Sequence, residues 1–380
     1  MKICILQVLH EPFDKRVFHK EAKSLVAAGH EVLSIVPSDG PVADTAGVTF
    51  RTIPVAKGLP ARARSAGRLV LAGRHVDTDC YFAVEPESWV AALVLKLLRR
   101  KRVVFDVHEP IVPEFAKFFP APLRPFVKWA TVRAMRLFAR FTDHIILTRE
   151  SLATEFKGLR TPQSLVLNTN HLQPMCADIP APLHERYATR PTIIHQGVFG
   201  DVRGSYELLD ALKTVVQVVP DVKCILLGRY VYGDEKVYRN AVREAGLEDV
   251  VDMPGAVPFE GVPAYIAVSR IGLILLQPIL EGLAYAMPHK LFDYMREGIP
   301  CIVPDFTIEV RHIVEETDCG LAVDVTKPEA IAEAILRLLR DPAEAQRLGR
   351  NGRHAVETKY HWANDERALL DAFAAVERNG

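Results

Sequence analysis

Short apolar runs alternate with longer stretches of helical period along almost the whole chain. In the first half the strand-like runs are 2–9, 31–36, 48–53, 80–84, 103–107, 144–147 and 165–167, and helical patterns fill 14–28, about 61–75, 86–100, 122–140 and 149–157. Strands this uniformly apolar, separated by amphipathic helices, predict a parallel sheet covered on both faces. Gln173 to Leu183 is proline-rich and aperiodic, and reads as a connection. Alternation then resumes, with strands at 192–195, 222–227, 250–252, 271–276, 299–303 and 321–323, and helices at 204–218, 234–245, 259–268, 288–297, 327–340 and 342–355. The pattern predicts an α/β protein with two Rossmann-like, doubly wound domains, 1–172 and 191–360, joined by a linker at 173–190. A central cleft between two such halves is the default binding site.

The most informative β-α-β unit runs from Ile271 to Pro304. Pro288 and Gly298 bracket its short helix. A helix that starts just beyond a buried strand's carboxyl end offers unpaired amides to an anion, so Pro288, His289 and Lys290 form a candidate phosphate seat. Lys290, Asp293, Tyr294 and Glu297 share one helical face. Lys290 suits a phosphate and Asp293 the paired hydroxyls of a ribose, while a solvated Lys-Asp pair is the plain alternative.

Pro288-x-Lys290-Leu291-Phe-Asp293-Tyr-Met-x-x-Gly298-Ile-Pro300 resembles the Pro-x-Lys-Leu-Phe-Glu-Tyr-Met-x-x-Gly-x-Pro signature of family 4 retaining glycosyltransferases, which have the two-domain GT-B fold. The resemblance implies that the acidic residue holds the ribose of a nucleotide-sugar and the helix start its diphosphate. Asp293 is one methylene shorter than the usual Glu. Tyr285 stands where the first Glu of a Glu-x7-Glu pair is common, which leaves Glu281 as a substitute contact to the donor sugar. Gly197-Val-Phe-Gly200-Asp-Val-Arg203-Gly204 resembles the family's phosphate loop, with Arg203 matching a basic residue and Val198 replacing an Arg. Gly228-Arg229 and Gly255-Ala-Val257 resemble turns beside the nucleotide and its base. The resemblance also implies that the last helix, about 361–380, crosses back to the first domain.

In the first half, Phe13 to Ala22 resembles the family's Phe-Asp-x-Arg-Val-Phe-x-Lys-Glu-Ala opening, which puts His10 and Arg16 on the acceptor side. The plain reading is that Asp14 caps a helix and Arg16 is a surface charge. His108 ends a buried strand where the resemblance implies a contact to the donor sugar, with Glu109 beside it on the acceptor side. Asp77-Thr-Asp79 precedes its strand, at the wrong end of the sheet for a metal bridging a diphosphate, so no metal and no cofactor is expected. The first βα loop lacks a G-x-G-x-x-G, which argues against nicotinamide or flavin.

The 380 residues balance 47 basic against 47 acidic side chains, but residues 1–180 hold 25 and 17. A basic first half suggests an anionic partner. Residues 124–140 interleave Phe126, Trp129, Met135 and Phe138 with Arg124, Lys128, Arg133, Arg136 and Arg140. The preferred account is an outer helix with its apolar face in the core; contact with an anionic leaflet is the alternative. Six cysteines without C-x-x-C spacing and no long apolar run point to a cytoplasmic protein, with peripheral contact to the membrane's cytoplasmic face as an option.

The expectation is therefore a glycosyltransferase moving sugar from a nucleotide diphosphate-sugar to a saccharide, lipid-linked or small-molecule acceptor, with no nucleic-acid partner. Lys290, Arg203 and His108 are its candidate catalytic residues. A nucleotide-sugar epimerase on the same scaffold, or a nucleotide-sugar-binding protein without turnover, are the alternatives.

Overall fold

The computed structural model describes residues 1–56 and 58–378. The chain forms two compact units, Met1–Asn168 with the segment from Trp362 onward, and Thr169–His361. The first contains strands β1 (Lys2–Leu6), β2 (Glu31–Pro37), β3 (Val48–Ile53), β4 (Cys80–Ala83), β5 (Arg102–Val107), β6 (His144–Leu147) and β7 (Gln163–Leu165). They make one parallel sheet in the order β3-β2-β1-β4-β5-β6-β7. Cys4 and Leu6 face one apolar cluster, Ile3 and Ile5 another, which is why β1 shows no polar alternation.

On the first face, Trp89 stacks on Phe105 at 4.1 Å and donates to Thr142 Oγ1. Its helix, Pro86–Arg99, is started by a reciprocal cap between Glu85 and Ser88. The other face is closed by Trp362, Leu369, Phe373 and Val376 of the helix Trp362–Arg378. Asp365 accepts from the Leu167 amide, and Trp362 Nε1 donates to Ser24 Oγ.

The second unit holds β8 (Thr192–Gln196), β9 (Phe199–Gly200), β10 (Lys223–Leu227), β11 (Tyr230–Tyr232), β12 (Val251–Gly255), β13 (Ile271–Leu273), β14 (Cys301–Pro304) and β15 (Gly320–Val323). Six form a parallel sheet ordered β12-β10-β8-β13-β14-β15, while β9 and β11 pair in a small ribbon.

Several expectations are corrected. The helix expected at 14–28 begins as a π-helical turn, Val17–Ala22, and continues as Lys23–Ala27. Asp14 Oδ1 accepts from the amides of Arg16 and Val17, the capping role foreseen for it. The helix expected from Pro288 begins at Lys290 and ends at Arg296, because the Leu291 amide bonds back to the Pro288 carbonyl in a tighter first turn. Helix Arg124–Ala139 packs Met135, Phe138 and Ala139 on the core, as expected, but not its first-half aromatics. It buries only Met135 and Ala139, and leaves Phe126 66% and Trp129 57% exposed. The described cysteines are all free, and Cys176 alone among them is not fully buried. No helix among the described residues is long and apolar enough to cross a membrane.

Candidate functional site

In the second unit, neighbouring strands β8, β10 and β12 end in glycines whose backbones stitch together. The Gly197 amide donates to Leu227 O at 2.7 Å, and the Gly228 amide to Gly255 O at 2.9 Å. A Cβ on Gly228, which sits at φ 137°, would lie 2.0 Å from the Gly197 carbonyl oxygen. Only glycine fits that approach. Gly204 is similarly confined, its absent Cβ falling 2.6 Å from Leu275 O at φ 74°.

Against this terrace lies Lys290, whose Nζ is 2.9 Å from His195 Nε2 at the end of β8. Arg203 joins them from the turn after β9, its guanidinium 5.8 Å over the Tyr232 ring. Burial first, then Arg203, pushes Lys290 well below the ordinary lysine value, with Asp293 opposing. His195 is driven well below its own by burial, Lys290 and Arg203. Three groups able to carry positive charge thus crowd together, a grouping that an anion would stabilise.

Asp293 has partners that the sequence reading did not foresee. It is buried, accepting from Gln196 Nε2 at 2.7 Å and Asn170 Nδ2 at 2.9 Å. Its carboxylate therefore orients two amides, using one acceptor position on each oxygen. Tyr294, next on the helix, accepts from the Gln196 amide and donates to carbonyls of Ile194 and Leu273, pinning the helix across β8 and β13. Pro288 and His289 precede the helix, half-buried, and Leu291 is in the core. Val257 is half-buried, whereas Arg229 and Glu281 are exposed.

The first unit gathers a second cluster. Arg16, expected on the acceptor side or the surface, is buried at 4% exposure. It makes a bidentate pair with Asp106, Nε–Oδ2 2.9 Å and Nη2–Oδ1 3.1 Å, and also reaches Glu21 Oε1 at 2.9 Å. Its partners lie far apart in sequence, and their burial draws it inward. His108 Nε2 is 2.5 Å from Asp106 Oδ2, and its ring meets His10 edge-on at 4.9 Å. Glu85 accepts from the amides of Val8, Leu9 and His10, fixing the loop that carries His10. Glu109 is exposed and pairs with Arg149 at 3.2 Å.

Burial alone would raise Asp106, but Arg16 and His108 hold it below the usual carboxylate range. Glu21 goes the other way, raised by burial against the pull of Arg16. His10 is raised because Asp14 and Glu85 outweigh its burial. Possible ligand atoms of Glu21, Asp106 and His108 lie within 4.8 Å of one another. The Arg16 guanidinium already pairs with Asp106 and lies 2.9 Å from Glu21 Oε1. Asp77 and Asp79 bond Lys2 Nζ and the Lys2 amide at the start of β1.

Sequence reasoning missed His195, Gln196, Asn170 and Tyr232 in the second unit, and Asp106 and Glu21 in the first. His195 carried one signal, a polar ring in a buried strand two residues before the loop glycine.

Residues 15–168 match the model described as glycosyl transferase 4-like domain, and residues 182–355 that described as glycosyl transferases group 1. A phosphatidyl-myo-inositol mannosyltransferase of Mycobacterium leprae is 26% identical over 190 residues, 50% of this chain and 48% of that protein. The chain thus spans about half the length of the curated relatives it matches. Among solved structures, sucrose-phosphate synthase from Thermosynechococcus elongatus aligns over 100% of both chains with TM-score 0.74 and 17% identity. Anabaena Alr3699/HepE in complex with UDP aligns over 99% of this chain and 100% of its own, with TM-score 0.77 and 15% identity. These likenesses carry the two-domain GT-B fold, and with each unit matched by its own family model the chain belongs to the family 4-type glycosyltransferases.

Proposed function

We propose that the protein is a retaining glycosyltransferase whose second unit holds a nucleotide diphosphate-sugar and whose first unit receives the acceptor. The observation that carries this reading is the cluster of Lys290, Arg203 and His195 beside the glycine terrace, where positive groups meet without a carboxylate bonded to Lys290. The names of relatives support it, one a mannosyltransferase and one bound to UDP.

Departure of the nucleotide diphosphate places negative charge on phosphate and positive charge on the sugar carbon. Lys290 and Arg203 would stabilise the leaving phosphate as fixed donors do an oxyanion. Two side-chain cations serve there where other enzymes recruit a metal, so the reading needs no cofactor. Gly228, Arg229, Gly255 and Val257 are assigned to the nucleoside. Glu281 and His289 are assigned to the donor sugar, and His10 and His108 to sugar hydroxyls on the first unit. Asp293 acts by positioning Gln196 and Asn170. No carboxylate nucleophile is assigned, in keeping with attack from the face the leaving group vacates.

The test is a melting screen with UDP-, GDP- and dTDP-sugars. A ligand at one hundred times its Kd raises stability by about 2.7 kcal/mol. Transfer then requires an acceptor, whereas epimerisation does not and a pure binder shows only the shift. The absence of any shift across the panel refutes the reading.

The acceptor side is proposed to work at an anionic membrane surface, on the cytoplasmic face. Phe126 and Trp129 stack on the exposed face of helix Arg124–Ala139, and Arg133 lies over Trp129. Residues 115–142 carry six cations and no acid. Vesicles rich in anionic lipid should sediment the protein at low salt and release it at high salt. Indifference to such vesicles removes this part.

A further inference from the structure

Lys290 Nζ and His195 Nε2 lie 2.9 Å apart. A hydrogen bond at that distance needs one nitrogen to donate and the other to accept. An ammonium and an imidazolium are both donors only, so the pair carries at most one positive charge. The charged groups around it leave little room for even that one. Arg203 approaches from the turn after β9 and disfavours a second cation. Asp293, one turn along the helix from Lys290, is the acid that opposes this, yet its oxygens accept from Gln196 and Asn170, and Arg296 stands 3.8 Å from it. The other wall beside His195 is the Phe199 ring, 4.6 Å away and uncharged.

We propose that the His195–Lys290 pair is a proton-uptake site, neutral while the phosphate seat is empty and converted by an arriving diphosphate into one fixed cation, with neutral His195 as the acceptor that positions the ammonium. This deepens the donor-site reading and rests on it. The proton comes from solvent and forms an N–H bond with the Lys290 lone pair, and no bond of the ligand breaks. Burial and Arg203 hold the empty-state lysine well below its ordinary value, and the diphosphate returns it upward. Between the two values, affinity falls about tenfold for each unit rise in pH. His195 thereby becomes a positioning residue for the transferase, acting through Lys290.

The experiment is titration calorimetry of the full chain with UDP and with GDP at pH 8, where the terminal phosphate, with a pKa of about 6, is already ionised. Two buffers of different ionisation enthalpy report the protons exchanged. The expected result is net proton uptake on binding, at most one per nucleotide, with Kd rising as pH rises by no more than about tenfold per unit. Lys290→Arg, whose guanidinium never releases its proton, should bind with no uptake and a flat pH profile. Lys290→Met should bind more weakly, also with no uptake. Equal heats in both buffers together with a flat Kd overturn the proposal. So does undiminished uptake in Lys290→Arg or Lys290→Met, which would place the proton elsewhere. Failure of the wild type to bind any of UDP, GDP and, tried in turn, dTDP refutes the donor reading itself, a result distinct from binding without uptake.

Discussion

Both units place charged side chains around the carboxyl ends of a parallel sheet, yet they settle the charge in opposite ways. In the first, Arg16 is clasped by Asp106 and Glu21, and His108 leans on the same Asp106. In the second, Lys290 and Arg203 crowd a neutral His195, while the nearby acid is occupied with amides. A cluster that neutralises itself serves the fold, because removing either partner strands a buried charge. One left short of counter-charge costs the fold and awaits a ligand.

The largest effect that sharpens this contrast should come from Arg16→Met. It strips the guanidinium from Asp106, which keeps only His108, and from Glu21, at about 3–5 kcal/mol, or a fall in Tm of roughly 10 °C in a thermal scan. A small change in Tm would break the comparison from the first unit's side. Next, Lys290→Met should lower kcat/KM by about 10²-fold if the lysine stabilises the leaving phosphate. Near wild-type turnover would remove it from that role.

The same variant should hold or raise Tm without ligand at pH 7. An amine whose folded pKa is depressed binds fewer protons folded than unfolded, so it weakens the fold below its unfolded value. A clear loss of stability would mean that the second cluster is as structural as the first.

The smallest effect concerns Glu155, which faces the amides of Ile111 and Val112 and is pushed up to about 7 by burial. Folded, it keeps its proton to near neutrality, whereas unfolded it loses it near 4.3, so stability drains away as pH rises between those values. Glu155→Gln should therefore gain about 1–2 kcal/mol at pH 8 and little at pH 4, read from paired melting curves. An equal gain at both pH values would point to packing instead of charge.

The central strands were legible because burial on both faces writes them as apolar runs, as at Ile271 to Leu276, while the edge strand Val48–Ile53 shows alternation instead. Helix Ile111–Ala116 was not, since Pro113 interrupts its pattern and it spans only six residues. The β9–β11 ribbon is too short to show any period. Lys290, Arg203 and the glycines could be picked out from motif and loop position. Their neighbours could not: the contact of Asp293 with Gln196 joins residues 97 apart in sequence, and that of Arg16 with Asp106 joins residues 90 apart. A charged side chain's role depends on whether fold-made contacts like these have already claimed it, and local spacing is silent on that.

The first unit's core draws Phe373, Leu369 and Trp362 from the far end of the described chain, where Phe373 packs edge-on to Phe82 of β4. During synthesis, residues 1–168 leave the ribosome about 190 residues before that helix, a wait on the order of 10–40 s at usual elongation rates. Throughout it, the part of this sheet face that Val17, Phe18 and Leu25 do not cover stays open while the second unit has time to fold by itself. A nascent chain stalled before Trp362 is thus the form most exposed to aggregation and most in need of a chaperone, until the helix Trp362–Arg378 docks on that face.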